Sequence, residues 1–134
     1  MVRISALLVL GLLIGARRLT AQRAHRIELE CASDGSTCRF RPGEVHVSPG
    51  ESVEFVVLSG GPYVVGFQAA DLSPEGRSVL NQAIPERSGD LEGPLLRGPG
   101  ARFRITIPGL PKGSYHFAAV THVAYRMGGT LIIP

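Results

Sequence analysis

The sequence predicts an all-β sandwich with one short helix. Polar and apolar residues alternate along several short segments, which is typical of half-buried strands. Turn residues rich in glycine and proline separate these segments, and the 134 residues leave room for one domain of ordinary size after an apolar N-terminal segment. Short alternating strands with frequent turns favour two packed sheets.

Four segments carry the alternating pattern: 26–30, 44–47, 52–56 and 102–107. Two more, 115–120 and 130–133, complete the run of β segments. Pro49-Gly50 separates the second segment from the third, and a Pro/Gly-rich turn at 108–113 separates the fourth from the fifth. We expect each segment to be a strand with one face in the core.

A helix of about ten residues is predicted to begin after Ser73. Serine is a favourable N-cap, Pro74 suits the first helical position, and Glu75 suits the positive end of the helix dipole. The residues expected to face the core are Val79, Leu80 and Ala83. The Gly- and Pro-rich segment 84–100 is long enough to form a partner surface.

The N-terminal segment, residues 1–21, resembles a secretory signal. Arg3 precedes an apolar run of thirteen residues, 4–16, which Arg17-Arg18 follows. Thirteen helical residues rise about 20 Å, less than the roughly 30 Å of a bilayer core. Two outcomes stay open: a cleaved signal peptide, or a retained N-terminal apolar helix that anchors the chain at a membrane. The domain proper is expected at 22–134, in the periplasm or another extracytoplasmic compartment.

The two cysteines, Cys31 and Cys38, are expected to form a disulfide. The intervening Asp34-Gly35 pair is a turn signal that can fold them towards each other, and an oxidising compartment would favour the bond. Two free buried thiols are the alternative.

Composition and motifs exclude several functions. From residue 22 onward there are eleven basic and eleven acidic residues, so a nucleic-acid partner is not expected. The sequence has no Gly-x-Ser-x-Gly elbow, no His-Glu-x-x-His and no phosphate-binding glycine loop, which argues against an enzyme. His25, His46 and His116 have no companion spacing and are interpreted as surface residues.

Two stretches resemble the plastocyanin-like cupredoxins, the blue copper proteins. Residues 40–55 are similar to the family's opening, in which Phe-x-Pro precedes one strand and a glycine turn leads into the next. Residues 115–130 are similar to its copper loop. This resemblance implies a Greek-key cupredoxin-like β-sandwich, and it extends over nearly all of 27–134.

The resemblance also indicates that the copper site is degenerate. The family's last three ligands follow the spacing Cys-x-x-His-x4-Met, of which this chain keeps His122 and Met127 but has Ala119 in place of the cysteine. The first histidine of the family corresponds to Tyr63. A neutral phenol is a poor copper ligand, and both cysteines are expected to be remote. We therefore expect no metal and no cofactor at these vestigial positions.

The retained pair, His122 and Met127, has three interpretations. The histidine can hydrogen-bond between loops while the methionine fills a core gap beside Ala119. The pair can instead bind a soft ion weakly, or the loop can contact a partner.

The favoured hypothesis is a non-redox, copper-free subunit that docks on a membrane-bound electron-transfer assembly. Family association alone points to the host, for example a photosynthetic reaction-centre or light-harvesting complex. The candidate interface residues are Tyr63, Tyr125 and Arg126, since aromatic and arginine anchors suit interfaces. Two alternatives remain: a small copper-binding electron carrier or chaperone with an atypical site built on His122 and Met127, and a secreted module that binds a small molecule through 70–100.

Overall fold

The structure is a computed structural model that describes residues 23–122 and 126–134. These residues form eight strands, one α-helix and one 3-10 turn. The strands are β1 Ala24–Cys31, β2 Cys38–Arg41, β3 Glu44–His46, β4 Ser52–Val57, β5 Val65–Phe67, β6 Arg102–Thr106, β7 Gly113–Ala119 and β8 Gly128–Ile133; the helices are the 3-10 turn Ala69–Asp71 and α1 Pro74–Ala83. The predicted β-sandwich with one short helix is confirmed.

The strands form two four-stranded sheets. One has the order β2-β1-β4-β6 and the other has the order β3-β8-β7-β5. Within the first sheet β1 runs parallel to β4, with Leu29 opposite Val57, so the two strands end on the same side of the sheet. In the second sheet β5 and β7 are antiparallel, and Val65 at the start of β5 lies opposite Ala119 at the end of β7.

The core between the sheets is built from the apolar faces of the alternating strands. Its centre is a group of phenylalanines in which the Phe55 ring stacks on Phe103, with centroids 4.9 Å apart, and the Phe40 ring meets Phe117 edge to face at the same distance. In β6 the exposed arginines alternate with buried Phe103 and Ile105. This burial fixes the register, because a slip of one residue would turn every core side chain towards water.

The helix begins where the sequence predicts. The backbone N–H of Gly76 donates to the Ser73 Oγ at 3.0 Å, which is an N-cap bond, and Pro74 is the first helical residue. Leu80 is buried and Ala83 packs partly against the core, but Val79 is 37 % exposed. The inward orientation predicted for Val79 is therefore wrong, because the buried stripe runs through Gly76 and Leu80, and a neighbouring residue points about 100° away.

Two strands, β2 and β5, were not predicted as separate elements. β2 is one short Cys-Arg-Phe-Arg alternation next to the cysteine turn, and β5 is buried at all three of its residues, so it shows no alternation. The predictions for residues 1–21 fall outside the described residues. Within the part of the chain that is described, no helix is long and apolar enough to span a membrane.

Candidate functional site

The four positions that correspond to the family's copper ligands meet at one end of the sandwich. Tyr63 lies just before β5, and Ala119 ends the adjacent β7. The Ala119 carbonyl accepts a hydrogen bond from the His122 N–H at 3.0 Å, and the Ala119 N–H donates to the Met127 carbonyl at 3.1 Å. We call this region, defined by Tyr63, Ala119, His122 and Met127, the site end.

Tyr63 is held firmly inside the protein. Its side chain has no exposed surface, its backbone exchanges two hydrogen bonds of 2.8 Å with Leu96, and its hydroxyl donates to the Ser59 carbonyl at 2.7 Å. Its ring stacks on the His122 ring, with centroids 4.6 Å apart and planes 29° apart. The interface role predicted for Tyr63 is wrong for this conformation, because a fully buried side chain has no surface to offer a partner.

The Tyr63 hydroxyl is a neutral group over the physiological range. Burial raises its pKa above the ordinary value, and the nearby carboxylate of Glu30 raises it further. A phenol that keeps its proton and donates it to a backbone carbonyl is unavailable as an anionic metal ligand.

Cys31 and Cys38 form the predicted disulfide, and they lie at the site end. The two residues are opposite each other in the β1–β2 pair, and the Cys31 Sγ lies 2.9 Å from the Tyr63 hydroxyl oxygen. Both sulfurs and a ring nitrogen of His122 fall within 4.8 Å of one another. The expectation that the cysteines are remote is wrong, because the parallel β1–β4 pairing brings the end of β1 beside the loop that follows β4.

That loop contains two residues that the sequence analysis did not single out. The hydroxyl of Ser59 accepts from the Cys31 N–H at 2.9 Å and donates to the Cys31 carbonyl at 3.1 Å. Gly60 has a φ of +74°, and a Cβ added to it would lie 2.5 Å from both the Cys31 Sγ and the Tyr63 hydroxyl. The Gly60-Gly61-Pro62 sequence is the one local signal that could have indicated so close an approach.

His122 and Met127 have different surroundings. The His122 Nδ1 lies 3.0 Å from the hydroxyl of Thr121, which donates in turn to the Pro62 carbonyl at 3.0 Å. Met127 is buried, as is Ala119. The interpretation of His122 as a link between loops and of Met127 as core packing agrees with these contacts.

The surface around the site end is partly open. An open pocket of about 370 Å³ is lined by Cys31, Cys38, Gly60, His122 and their neighbours. Arg126 is exposed, so its side chain is accessible to a partner. Tyr125 lies outside the described residues, and its predicted interface role stays a prediction.

The remaining histidines lie on strands away from these contacts. His46 and His116 are exposed, as predicted, and the His116 Nδ1 lies 2.9 Å from an oxygen of Asp71. His25 is half-buried, with its Nε2 3.4 Å from an oxygen of Glu51, so its interpretation as a surface residue is only partly right.

The donor atoms at the four ligand positions do not match a blue copper centre. Such a centre uses two imidazoles and a thiolate in a trigonal arrangement, with a distant thioether on the axis. Ala119 has no donor atom in its side chain, and the Tyr63 hydroxyl is already bonded to Ser59. His122 and Met127 alone supply half of the set.

Comparison with known proteins identifies the family. The model of the copper binding proteins of the plastocyanin/azurin family matches residues 27–134. The chain belongs to the plastocyanin/azurin family. The sequence resemblance is thereby confirmed, and it includes every residue of the site end.

Individual members of the plastocyanin/azurin family agree with this assignment. The chain is 29 % identical to plastocyanin of Solanum crispum and 30 % identical to plastocyanin B'/B'' of Nicotiana tabacum, in each case over 107 residues that cover 80 % of this chain and 99 % of the relative. A solved structure of a mutant fern plastocyanin superposes with a TM-score of 0.62 at 25 % identity, covering 81 % of this chain and 99 % of that one.

Proposed function

We propose that this protein is a non-redox, copper-free member of the plastocyanin/azurin family that docks on and stabilises a membrane-bound electron-transfer assembly. One observation carries the proposal: the family's ligand positions are filled by protein contacts, while the surface around them stays apolar and exposed. Tyr63 occupies the position of the first ligand, where its hydrogen bond to Ser59 and its stacking on His122 hold it. The chain keeps the β-sandwich of the family but lacks two of its four copper-ligating side chains.

The docking surface is proposed at the site end. Among the described residues, three of the four large hydrophobic side chains that are exposed flank this end: Leu58, Leu95 and Val120. Leu58 follows β4, Val120 follows β7, and Leu95 precedes the residue that pairs with Tyr63. Their exposed fractions are 37 %, 43 % and 39 %. These exposed apolar side chains and the exposed Arg126, which precedes Met127 of the site end, together have the composition of a protein interface.

An extracytoplasmic location belongs to the same proposal. The Cys31–Cys38 disulfide favours an oxidising compartment. A relative that is 27 % identical over 125 residues is the chloroplastic minor isoform of plastocyanin in Arabidopsis thaliana. The apolar run at residues 4–16 supports export or membrane attachment.

Purification of the tagged full chain from membranes of its native host in mild detergent tests docking. We expect membrane proteins of one electron-transfer assembly to co-purify in fixed stoichiometry and to be identified by mass spectrometry. The double variant Leu58→Ser/Val120→Ser is expected to lose most of this assembly. The matched control is Val79→Ser, which replaces a side chain that is also 37 % exposed but lies on α1.

Two outcomes would contradict the proposal. One is recovery of the wild-type chain as a lone monomer with no membrane partner. The other is stoichiometric binding of Cu(II) by the oxidised chain that is lost in His122→Gln, which would favour the electron-carrier alternative built on His122 and Met127. If Val79→Ser lost as much of the co-purified assembly as the double variant, the experiment would not locate the docking surface at the site end.

A further inference from the structure

We propose that reduction of the Cys31–Cys38 disulfide creates a binding site for one monovalent copper ion, with Cys31, Cys38 and His122 as its ligands. This inference goes beyond the proposed function because it concerns the reduced chain. Two of the three ligands lie on β1 and β2, outside the positions that bind copper in the family. The proposal therefore stands or falls separately from docking.

The geometry of the three side chains carries the proposal. Their ligand atoms, the two sulfurs and a ring nitrogen of His122, already lie within 4.8 Å of one another. In a trigonal site with metal–ligand bonds of about 2.3 Å, the ligand atoms are roughly 4 Å apart. The histidine nitrogen thus needs to approach the sulfurs by less than about 1 Å. The two sulfurs, which the disulfide now joins, separate when that bond breaks.

The site is accessible from solvent. The pocket of about 370 Å³ is lined by Cys31, Cys38 and His122. Cys31 and His122 are each partly exposed, whereas Cys38 is buried. A reductant can therefore reach the Cys31 sulfur first, and a metal ion can enter by the same opening.

The donor set favours monovalent copper. Two thiolates and one imidazole form a soft ligand set, which selects Cu(I) or zinc over magnesium or calcium. Zinc on two cysteines and one histidine takes water as a fourth ligand, whereas Cu(I) needs no ligand beyond the three soft donors that the described cluster offers. The Tyr63 hydroxyl lies 2.9 Å from the Cys31 sulfur, and it can donate to the thiolate by turning away from the Ser59 carbonyl, which now accepts its one proton.

Reduction of the disulfide and binding of Cu(I) are two separate steps. A protein dithiol attacks the disulfide through one thiolate, forms a mixed disulfide, and leaves as its own disulfide, so the chain gains two electrons and two protons. Binding of Cu(I) then displaces the two thiol protons, and copper remains monovalent throughout. The imidazole of His122 binds as the neutral base.

Anaerobic copper titration of the full chain tests the proposal. The chain is reduced with excess dithiothreitol, freed of reductant by gel filtration, and titrated with Cu(I) against a chromogenic Cu(I) chelator. We expect two free thiols and one Cu(I) per reduced chain, with an ultraviolet thiolate-to-copper band, and no stoichiometric Cu(I) on the oxidised chain. His122→Gln is expected to weaken binding at least tenfold, and Cys31→Ser/Cys38→Ser is expected to abolish it.

Two control variants assign the ligands. His46→Gln removes an exposed histidine from β3, and Met127→Leu keeps the volume of a buried side chain that the proposal does not use; neither is expected to change Cu(I) affinity. Circular dichroism establishes that each variant is folded. The proposal is overturned by equal Cu(I) binding to the oxidised chain, by an unchanged affinity in His122→Gln, by loss of binding in Met127→Leu, or by preference of the reduced chain for zinc.

Discussion

The phenolic oxygen of Tyr63 lies 2.9 Å from the Sγ of Cys31. This contact joins a family ligand position to a disulfide that belongs to the other sheet. Because Tyr63 also stacks on His122, the three side chains form one continuous group across the end of the sandwich. Changes to any of them are expected to affect the stability of the whole end.

Alkaline unfolding should depend on Tyr63. Burial raises the pKa of its phenol in the folded state above the ordinary value of 10.0, so the unfolded chain loses this proton more readily. Stability is therefore fully present below about pH 10 and declines as the pH rises towards the folded pKa. The decline should be smaller in Tyr63→Phe, measured by urea unfolding between neutral and alkaline pH. An equal decline in both proteins would contradict this prediction.

Tyr63→Phe should also lower stability at neutral pH. The variant removes the 2.7 Å hydrogen bond to the Ser59 carbonyl and leaves that acceptor without this donor, at a cost of about 1 kcal/mol. The ring and its stacking on His122 are retained. The free energy of unfolding in urea at pH 7 measures the effect, and an unchanged value would show that the bond contributes nothing.

The disulfide should stabilise the fold moderately. Its cysteines are seven positions apart, and closing so short a loop reduces the entropy of the unfolded chain by an amount equivalent to about 2.5 kcal/mol. Cys31→Ala/Cys38→Ala should lose about this much in urea unfolding, and dithiothreitol should destabilise the wild type to a similar extent. The reductant should leave the double variant unchanged; an effect there would indicate a cause other than the disulfide.

Gly60→Ala should be more destabilising than Gly50→Ala. Both glycines have positive φ, +74° and +89°, so alanine at either position costs about 1–2 kcal/mol in backbone strain. At Gly60 the new methyl group also meets the Cys31 sulfur and the Tyr63 hydroxyl, whereas nothing lies within 4 Å at Gly50. We expect a further loss of about 1–3 kcal/mol at Gly60 from overpacking. Equal thermal unfolding of the two variants would contradict the close packing at the site end.

Rebuilding the two missing ligands should restore copper binding. Tyr63→His/Ala119→Cys supplies an imidazole and a thiolate beside His122 and Met127, and completes the donor set of a blue copper centre. We expect one Cu(II) per chain and an intense visible thiolate-to-copper band. Tyr63→His alone should give no such band. A folded double variant that stays colourless would show that the loops, and not just two side chains, have diverged.

Local signals in the sequence were sufficient for most of the secondary structure. The alternation at 102–107 predicted β6, and the Ser73-Pro74 pair predicted the start of α1. Each of these signals depends on only a few neighbouring residues. The family resemblance supplied the arrangement of the sheets. Short strands such as β5 lacked a period, and one apolar residue of the helix, Val79, could not be assigned to a face from its type alone.

The contacts at the site end were harder to predict because they depend on non-local pairing. The sequence indicates that Cys31 and Cys38 face each other, but it contains no local signal that β1 pairs in parallel with β4. Without that pairing, neither the approach of the disulfide to Tyr63 nor the burial of the tyrosine can be inferred. An aromatic residue beside a turn has the same appearance in a sequence whether it is exposed or fully packed.

The direction of β1 sets how the domain is oriented. The strand begins at Ala24, opposite Ser52, and ends at Cys31 beside Tyr63, so the described chain enters about 23 Å from the site end. If residues 1–21 are retained and attach the chain to a bilayer, which is one of the two outcomes left open, the site end would point away from the lipid. The docking surface would then reach only those parts of the assembly that project at least about 20 Å above the membrane.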